Sequence, residues 1–130
     1  MSGVVVGYVP KPEGEAALLR AVEEARLRQV SLVIVSSQRE DADERWIHKT
    51  ETDLAAARER LDATGMAYEV RETIAGTGAA DDLVEIAEEV GADLLVIGVR
   101  RRSPVGKLIL GTQAQRILLD APCPVLAVKD

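Results

Sequence analysis

The residues best suited to chemistry in this 130-residue chain stand in one stretch near its C-terminal end, Gly98-Val-Arg-Arg-Arg-Ser103-Pro-Val-Gly106-Lys-Leu-Ile-Leu-Gly111-Thr112. The chemistry they offer is anion binding. Glycines let backbone N–H groups approach a ligand with no Cβ in the way. Gly111 and Thr112 open a short helix, whose amino terminus presents unpaired N–H groups and a partial positive charge. From Leu94 to Leu119 there is no acidic residue, while Arg100, Arg101, Arg102, Lys107 and Arg116 supply five positive charges. The rest of the chain carries 11 basic and 22 acidic residues, and the net charge is −6. That balance argues against a general DNA or RNA binder. It fits a local site for a small anion, or equally a solvated basic loop that aids solubility.

Little else in the sequence can carry catalysis. The only histidine, His48, lies in a polar helix start far along the chain from Ser103, so Ser103-Pro104 reads as a turn and not as a nucleophile. The acidic pairs Asp81-Asp82 and Glu88-Glu89 belong on helix surfaces. No Cys/His cluster points to a metal. Neither a Gly-x-Gly-x-x-Gly after the first strand nor a Gly-x4-Gly-Lys-[Ser/Thr] loop occurs, which disfavours a dinucleotide cofactor and an efficient ATPase of that type. Thr112-x-x-Gln115 matches a helix capping box, giving Thr112 a structural use beside a phosphate-binding one. A single cysteine, Cys123, excludes an intrachain disulfide and suits a reducing cytosol; between two prolines it reads as a small apolar filler. No apolar run approaches the ~20 residues of a membrane span, and the start lacks a signal peptide. With one Trp, two Tyr and no Phe, stacking platforms for single-stranded nucleic acid are not expected.

The stretch must be positioned by a sheet. Val4 to Val9 is a continuous apolar run, suited to a strand covered on both faces. Pro10-Lys11-Pro12 ends it and opens a helix with Leu18, Ala21, Val22 and Ala25 at helical spacing. Leu32 to Val35 is a second buried strand, Ser36 to about Ile47 a polar connection, and about His48 to Ala63 a helix stopped by Gly65. Trp46 and Ile47 serve either as a lid or in packing that helix on the sheet. Tyr68 to Ile74 alternates like an edge strand, Asp81 to Val90 is an amphipathic helix ended by Gly91, and Leu94 to Ile97 is the fourth strand. A helix over Gln113 to Leu119 and a fifth strand over Pro124 to Val128 follow. The alternation predicts one α/β domain over residues 1–130, a five-stranded parallel sheet of order 3-2-1-4-5 with helices on both faces. Its winding reverses between the first and fourth strands, where ligands sit in such sheets. Tyr8 to Lys11 then stand opposite Gly98 to Ser103. The fifth strand, as a short apolar edge, predicts a homodimer through Pro124, Val125, Leu126, Ala127 and Val128; the alternative is a monomer with Lys129 and Asp130 guarding the edge.

Gly98, Arg101, Gly111 and Thr112 stand at the spacing Gly-x2-Gly-x9-Gly-[Ser/Thr], with Arg101 in the second glycine's place. Ala-x-Arg-Ile-Leu-Leu-x-Ala-Pro-Cys-Pro-Val-Leu-Ala-Val follows, from Ala114 to Val128. Together these resemble the universal stress protein family over essentially the whole chain. The resemblance implies a flavodoxin-like fold, a cytoplasmic homodimer, and in many members binding of ATP or another adenine nucleotide, in stress adaptation without a defined reaction. It implies that Gly98 and the Arg101 position approach phosphates or ribose, that Gly111 and Thr112 meet the triphosphate, and that Gln113 adds a backbone N–H. Tyr8, Val9 and Val35 would flank the adenine. Two positions depart from the pattern: Tyr8-Val9-Pro10 replaces an Asp-Gly-Ser-like turn, and Arg101 brings a side chain that can reach a phosphate in bidentate fashion. The expected function is a regulatory binding protein holding ATP or AMP, or another small anion, with Mg²⁺ only beside ATP. The alternatives are a dimeric interaction scaffold without a nucleotide, or a slow nucleotide hydrolase.

Overall fold

The computed structural model describes residues 3–38, 42–74, 78–100 and 111–130. Arg101 and Ser103 therefore lie outside the described residues. The elements run β1 (Gly3–Tyr8), α1 (Pro12–Arg28), β2 (Ser31–Gln38), α2 (Glu44–Thr64), β3 (Tyr68–Ile74), α3 (Ala79–Val90), β4 (Leu94–Val99), α4 (Thr112–Asp120) and β5 (Val125–Lys129). The strand pairings are parallel and the order is β3-β2-β1-β4-β5, as the alternation of patterns predicts.

The apolar strands are continuous because each face of the sheet is covered by different helices. Val4, Val6 and Tyr8 of β1 join Leu32, Ile34, Leu94 and Val96 under Ala17, Leu18, Ala21 and Ala25 of α1 and Leu54, Ala57 and Leu61 of α2. The alternate residues Val5, Val33, Val35, Leu95, Ile97 and Val99 pack under Ala80, Leu83 and Ile86 of α3 and Ile117 of α4. Each fully buried aliphatic side chain contributes about 1.5–3 kcal/mol, so this two-sided burial is a main source of the sheet's stability. β3 is an edge strand and alternates accordingly. Tyr68 and Val70 face the α1/α2 core, whereas Arg71 bonds Glu69 at 2.8 Å and Glu89 of α3.

Local chemistry sets the helix ends. Pro12 sits in the first turn of α1 with Glu13 and Glu15, where a proline needs no N–H partner and acids meet the positive end of the dipole. α2 begins at Glu44, earlier than the polar sequence predicts, because Asp43 caps it by accepting from Trp46 N at 2.8 Å. β2 likewise runs past Val35, since Ser36, Ser37 and Gln38 pair with Glu72, Thr73 and Ile74. Trp46 packs beneath Lys11, whose Nζ lies 5.4 Å from the ring centroid. At α4 the cap is Gly111, with no side-chain cap bond among the described residues, and Thr112 is the first helical residue. The capping box expected for Thr112 and Gln115 is therefore displaced: Gln115 N instead bonds Gly111 O at 3.1 Å. The fifth strand starts one residue later than expected, because Pro124 contributes only its carbonyl, to Leu95 N at 3.0 Å.

Candidate functional site

Where β1, β2 and β4 end, the sheet and the starts of α3 and α4 enclose a cavity of about 160 Å³. β1 contributes Gly7 and Tyr8, with Val9 just beyond; β2 contributes Val35 and Ser37; β4 contributes Ile97 and Gly98. Ala79 and Leu83 close one side and Gln113, Ala114 and Ile117 the other. Larger hollows lie elsewhere, about 680 Å³ beside the amino-terminal ends of β1 and β2, about 420 Å³ between β3 and α3, and about 360 Å³ between α1 and α2. None of them is where β1 and β4 end, the place where open parallel sheets of this order hold ligands. The small cavity is at the point where the winding reverses. Its volume is below the roughly 300–1,000 Å³ of sites that enclose a whole ligand, so it suits one apolar ring system with the rest of a molecule outside.

Of the sequence-predicted residues, Tyr8, Val9, Val35, Gly98 and Gln113 line this cavity. Gly111 and Thr112 do not; they are exposed at the start of α4. Arg101 and Ser103 fall in the segment outside the described residues.

Gly98 is glycine for a reason other than ligand approach. A Cβ there would lie 2.6 Å from the Glu13 carbonyl carbon and overlap its oxygen. The first turn of α1 is thus seated directly on the end of β4, and Gly14 is similarly pressed against the Val9 carbonyl. Gly111 is the opposite case. Its φ of −67° is open to any residue, and a Cβ would meet nothing within 4 Å among the described residues. Among the described residues, the amino terminus of α4 is therefore unobstructed on that side.

The charges are partly spent. Arg116 pairs with Asp81 at 2.8 Å, tying α4 to α3, and Arg100 lies 3.8 Å from Glu13. These two bases of the positive segment are neutralised by neighbours. Tyr8 turns its ring into the α1/α2 core, and its hydroxyl lies 2.7 Å from Glu15 Oε1 and 3.1 Å from Asp53 Oδ2. Burial, then the bond to Glu15, holds its phenol well above the ordinary value. Lys49, bonded to Asp53 at 2.9 Å, holds that carboxyl below its ordinary range. Tyr8 thus braces β1 against both helices.

Two polar features escape sequence reasoning. Gln113 Oε1 accepts from Ala80 N at 2.8 Å, so a side chain of α4 caps α3. Ser37 Oγ lies 2.8 Å from Thr73 Oγ1 and 3.2 Å from Asp82 Oδ2, and Thr73 donates to Asp82 at 2.9 Å. Strand alternation through Val33 and Val35 was the signal that puts Ser37 on the cavity's face; the partners are 36 and 45 residues away. His48 is exposed, with its carbonyl accepting from Thr52 Oγ1 at 2.9 Å. The Cys123 thiol is pushed up by burial and then by Asp93, which keeps it from thiolate chemistry. Among the described residues no three His, Cys, Asp or Glu side chains are grouped to hold a metal ion, and no helix is long and apolar enough to cross a membrane.

The model of the universal stress protein family matches residues 1–129. A universal stress protein of Mycolicibacterium smegmatis is 41% identical over 128 residues, covering 97% of this chain and 96% of that protein. The solved structure of a universal stress protein from Archaeoglobus fulgidus has a TM-score of 0.81 at 35% identity and covers 99% of both chains. A second structure from that organism, in complex with dAMP, has a TM-score of 0.75 at 29% identity, covering 99% of this chain and 98% of that one.

Proposed function

The chain belongs to the universal stress protein family, and from that premise we propose that this stress-response protein binds an adenine nucleotide, ATP or AMP, where β1, β2 and β4 end. The base enters the apolar cavity, flanked by Tyr8, Val9 and Val35. The phosphates lie outside it, at Gly111, Thr112 and the backbone N–H of Gln113, with Gly98, Arg101 and Ser103 alongside. The observation that carries this reading is the adjacency of an apolar, ring-sized hollow and an amino terminus of α4 without a side-chain cap among the described residues. Such a terminus attracts anions through its unpaired N–H groups. The relative solved with dAMP supports the choice of adenine; a different small anion would use the helix terminus and leave the hollow unfilled. Mg²⁺ enters only with ATP, carried on its phosphates.

The protein acts by binding and not by turnover, as a cytoplasmic regulatory module in which residues 1–130 form one unit. Hydrolysis of ATP is at most slow, because the sequence has no Gly-x4-Gly-Lys-[Ser/Thr] loop and its single histidine, His48, is exposed on α2 away from the cavity. β5 lies at the edge of the sheet with β4 on one side. Two copies meeting edge to edge through Pro124, Val125, Leu126, Ala127 and Val128 would satisfy the outer backbone groups of both.

Calorimetric titration with ATP and AMP tests the binding claim, and saturable heat with either is expected. Arg101→Ala weakens that binding if its guanidinium holds a phosphate. Flat heats with both nucleotides would favour the second reading, a dimeric interaction scaffold without a ligand. What supports that second reading is Val9 in place of an acid after β1 and the ion pairs that occupy Arg100 and Arg116. Phosphate release above background with ATP and Mg²⁺ would instead point to a slow hydrolase.

A further inference from the structure

The cavity is apolar except at few points, and one of them has a fixed hydrogen-bonding sense. Ser37 lines it at the end of β2, two residues beyond Val35 on the same face of the strand. Its hydroxyl belongs to a three-oxygen cluster with Thr73, its register partner on β3, and Asp82 in the first turn of α3. The separations are 2.8 Å from Ser37 to Thr73, 2.9 Å from Thr73 to Asp82 and 3.2 Å from Ser37 to Asp82. Two hydroxyl protons serve these contacts, because a carboxylate only accepts. If both stay inside, two of the three contacts are bridged. If Ser37 turns its proton into the cavity, at most one is bridged. The three groups are half-buried, so the arrangement with both protons inside is favoured by one additional hydrogen bond. Ser37 therefore points lone pairs, not a proton, at whatever enters.

We infer that Ser37 is a specificity-determining residue for the base, an oxygen held as an acceptor that selects a 6-amino purine over a 6-oxo purine; this rests on the adenine-nucleotide reading of the cavity. An exocyclic amino group donates to such an oxygen. A carbonyl in the same place sets acceptor against acceptor. The surrounding Val35, Leu83, Ile97 and Ile117 favour a flat base there over a polyhydroxylated sugar, so the donor is the base and not the ribose. Thr73 and Asp82 are positioning residues, which act by orienting the Ser37 proton.

The test compares AMP, IMP and dAMP by calorimetry on the intact protein, with folding of each variant checked by circular dichroism. The wild type favours AMP over IMP by about tenfold, the usual scale for one mismatched buried hydrogen bond, and binds dAMP about as well as AMP. Ser37→Ala brings the AMP/IMP ratio to about one, by weakening AMP and relieving IMP. Asp82→Ala, which removes the acceptor and lets the Thr73 hydroxyl donate to Ser37, frees the Ser37 proton and also brings the ratio to about one. Equal binding of AMP and IMP to the wild type, or a preference that follows the 2′-hydroxyl, overturns the role of Ser37 while the nucleotide site stands. Absence of binding by all three nucleotides overturns the site and this assignment together.

Discussion

The two described glycines of the Gly-x2-Gly-x9-Gly spacing do different jobs, and substituting each by alanine separates them. At Gly98 a Cβ meets the Glu13 carbonyl carbon at 2.6 Å and the Glu13 Cβ at 3.1 Å. The obstacle is backbone in the first turn of a helix, which cannot rotate aside. Relief requires α1 to lift from the end of β4, where Ala17, Leu18 and Ala21 are buried. Overpacking costs about 1–3 kcal/mol, and a rigid obstacle places Gly98→Ala near the upper end, about 3 kcal/mol. With a urea dependence of about 2 kcal/mol per molar for a chain of this size, the unfolding midpoint falls by about 1.5 M. Gly111→Ala is the control. With an ordinary φ of −67° and open space around the new methyl among the described residues, it costs only the poorer capping of α4 by alanine, about 1 kcal/mol or less. It nevertheless weakens nucleotide binding, because the methyl stands where phosphate approaches the helix. Urea melts of the three proteins decide the matter. An unchanged midpoint for Gly98→Ala would refute the seating of α1 on β4.

Other expectations follow from the same contacts. Tyr8→Phe loses the hydroxyl that serves Glu15 and Asp53 and costs about 1–2 kcal/mol. Because the folded phenol is held above its unfolded value of about 10, its contribution is complete below that pH and is lost as pH rises through the raised value. The alkaline fall in urea midpoint should therefore be shallower in Tyr8→Phe. Asp43→Ala removes the α2 cap and costs about 1 kcal/mol, read as a lower thermal midpoint; no change would show that Trp46 N finds water equally well. Sedimentation equilibrium should return twice the 14.0 kDa chain mass, and Ala127→Lys on the exposed side of β5 should shift it toward the monomer. A wild-type mass of one chain would remove the edge-to-edge dimer.

Most of the architecture was legible because it is written in short-range pattern. Val4 to Val6 and Leu94 to Ile97 read as strands buried on both faces, being short β-branched and aliphatic runs bounded by turn residues, and the alternation of Tyr68 to Ile74 marked the edge. Gly65 and Gly91 stop their helices in the left-handed conformation, at φ of 72° and 63°. Boundaries were lost where polar residues do structural work: Asp43 starts α2 by capping it, in a stretch whose acidity reads as a solvated loop. Thr112 shows the converse, since it satisfies a capping pattern and yet stands one position inside the helix. The site was half legible. Residues at the ends of β1, β2 and β4 follow from topology alone, which brings Tyr8, Val9, Val35 and Gly98 together. Leu83, Ala79 and the Ser37–Thr73–Asp82 cluster depend on how α3 lies across the sheet, and no spacing in the chain encodes that. The glycine motif itself is ambiguous in sequence, because close approach of a ligand and close approach of a neighbouring helix demand the same missing Cβ.

Everything functional depends on where the ligand sits, and backbone amide chemical shifts followed during titration with AMP measure that directly. Saturable shifts concentrated at Gly7, Val9, Val35, Ser37, Gly98 and Gln113 are the expected result. Shifts gathered instead in the groove between α1 and α2, around Leu19, Val22 and Leu61, or spread over the surface without saturation, would contradict it.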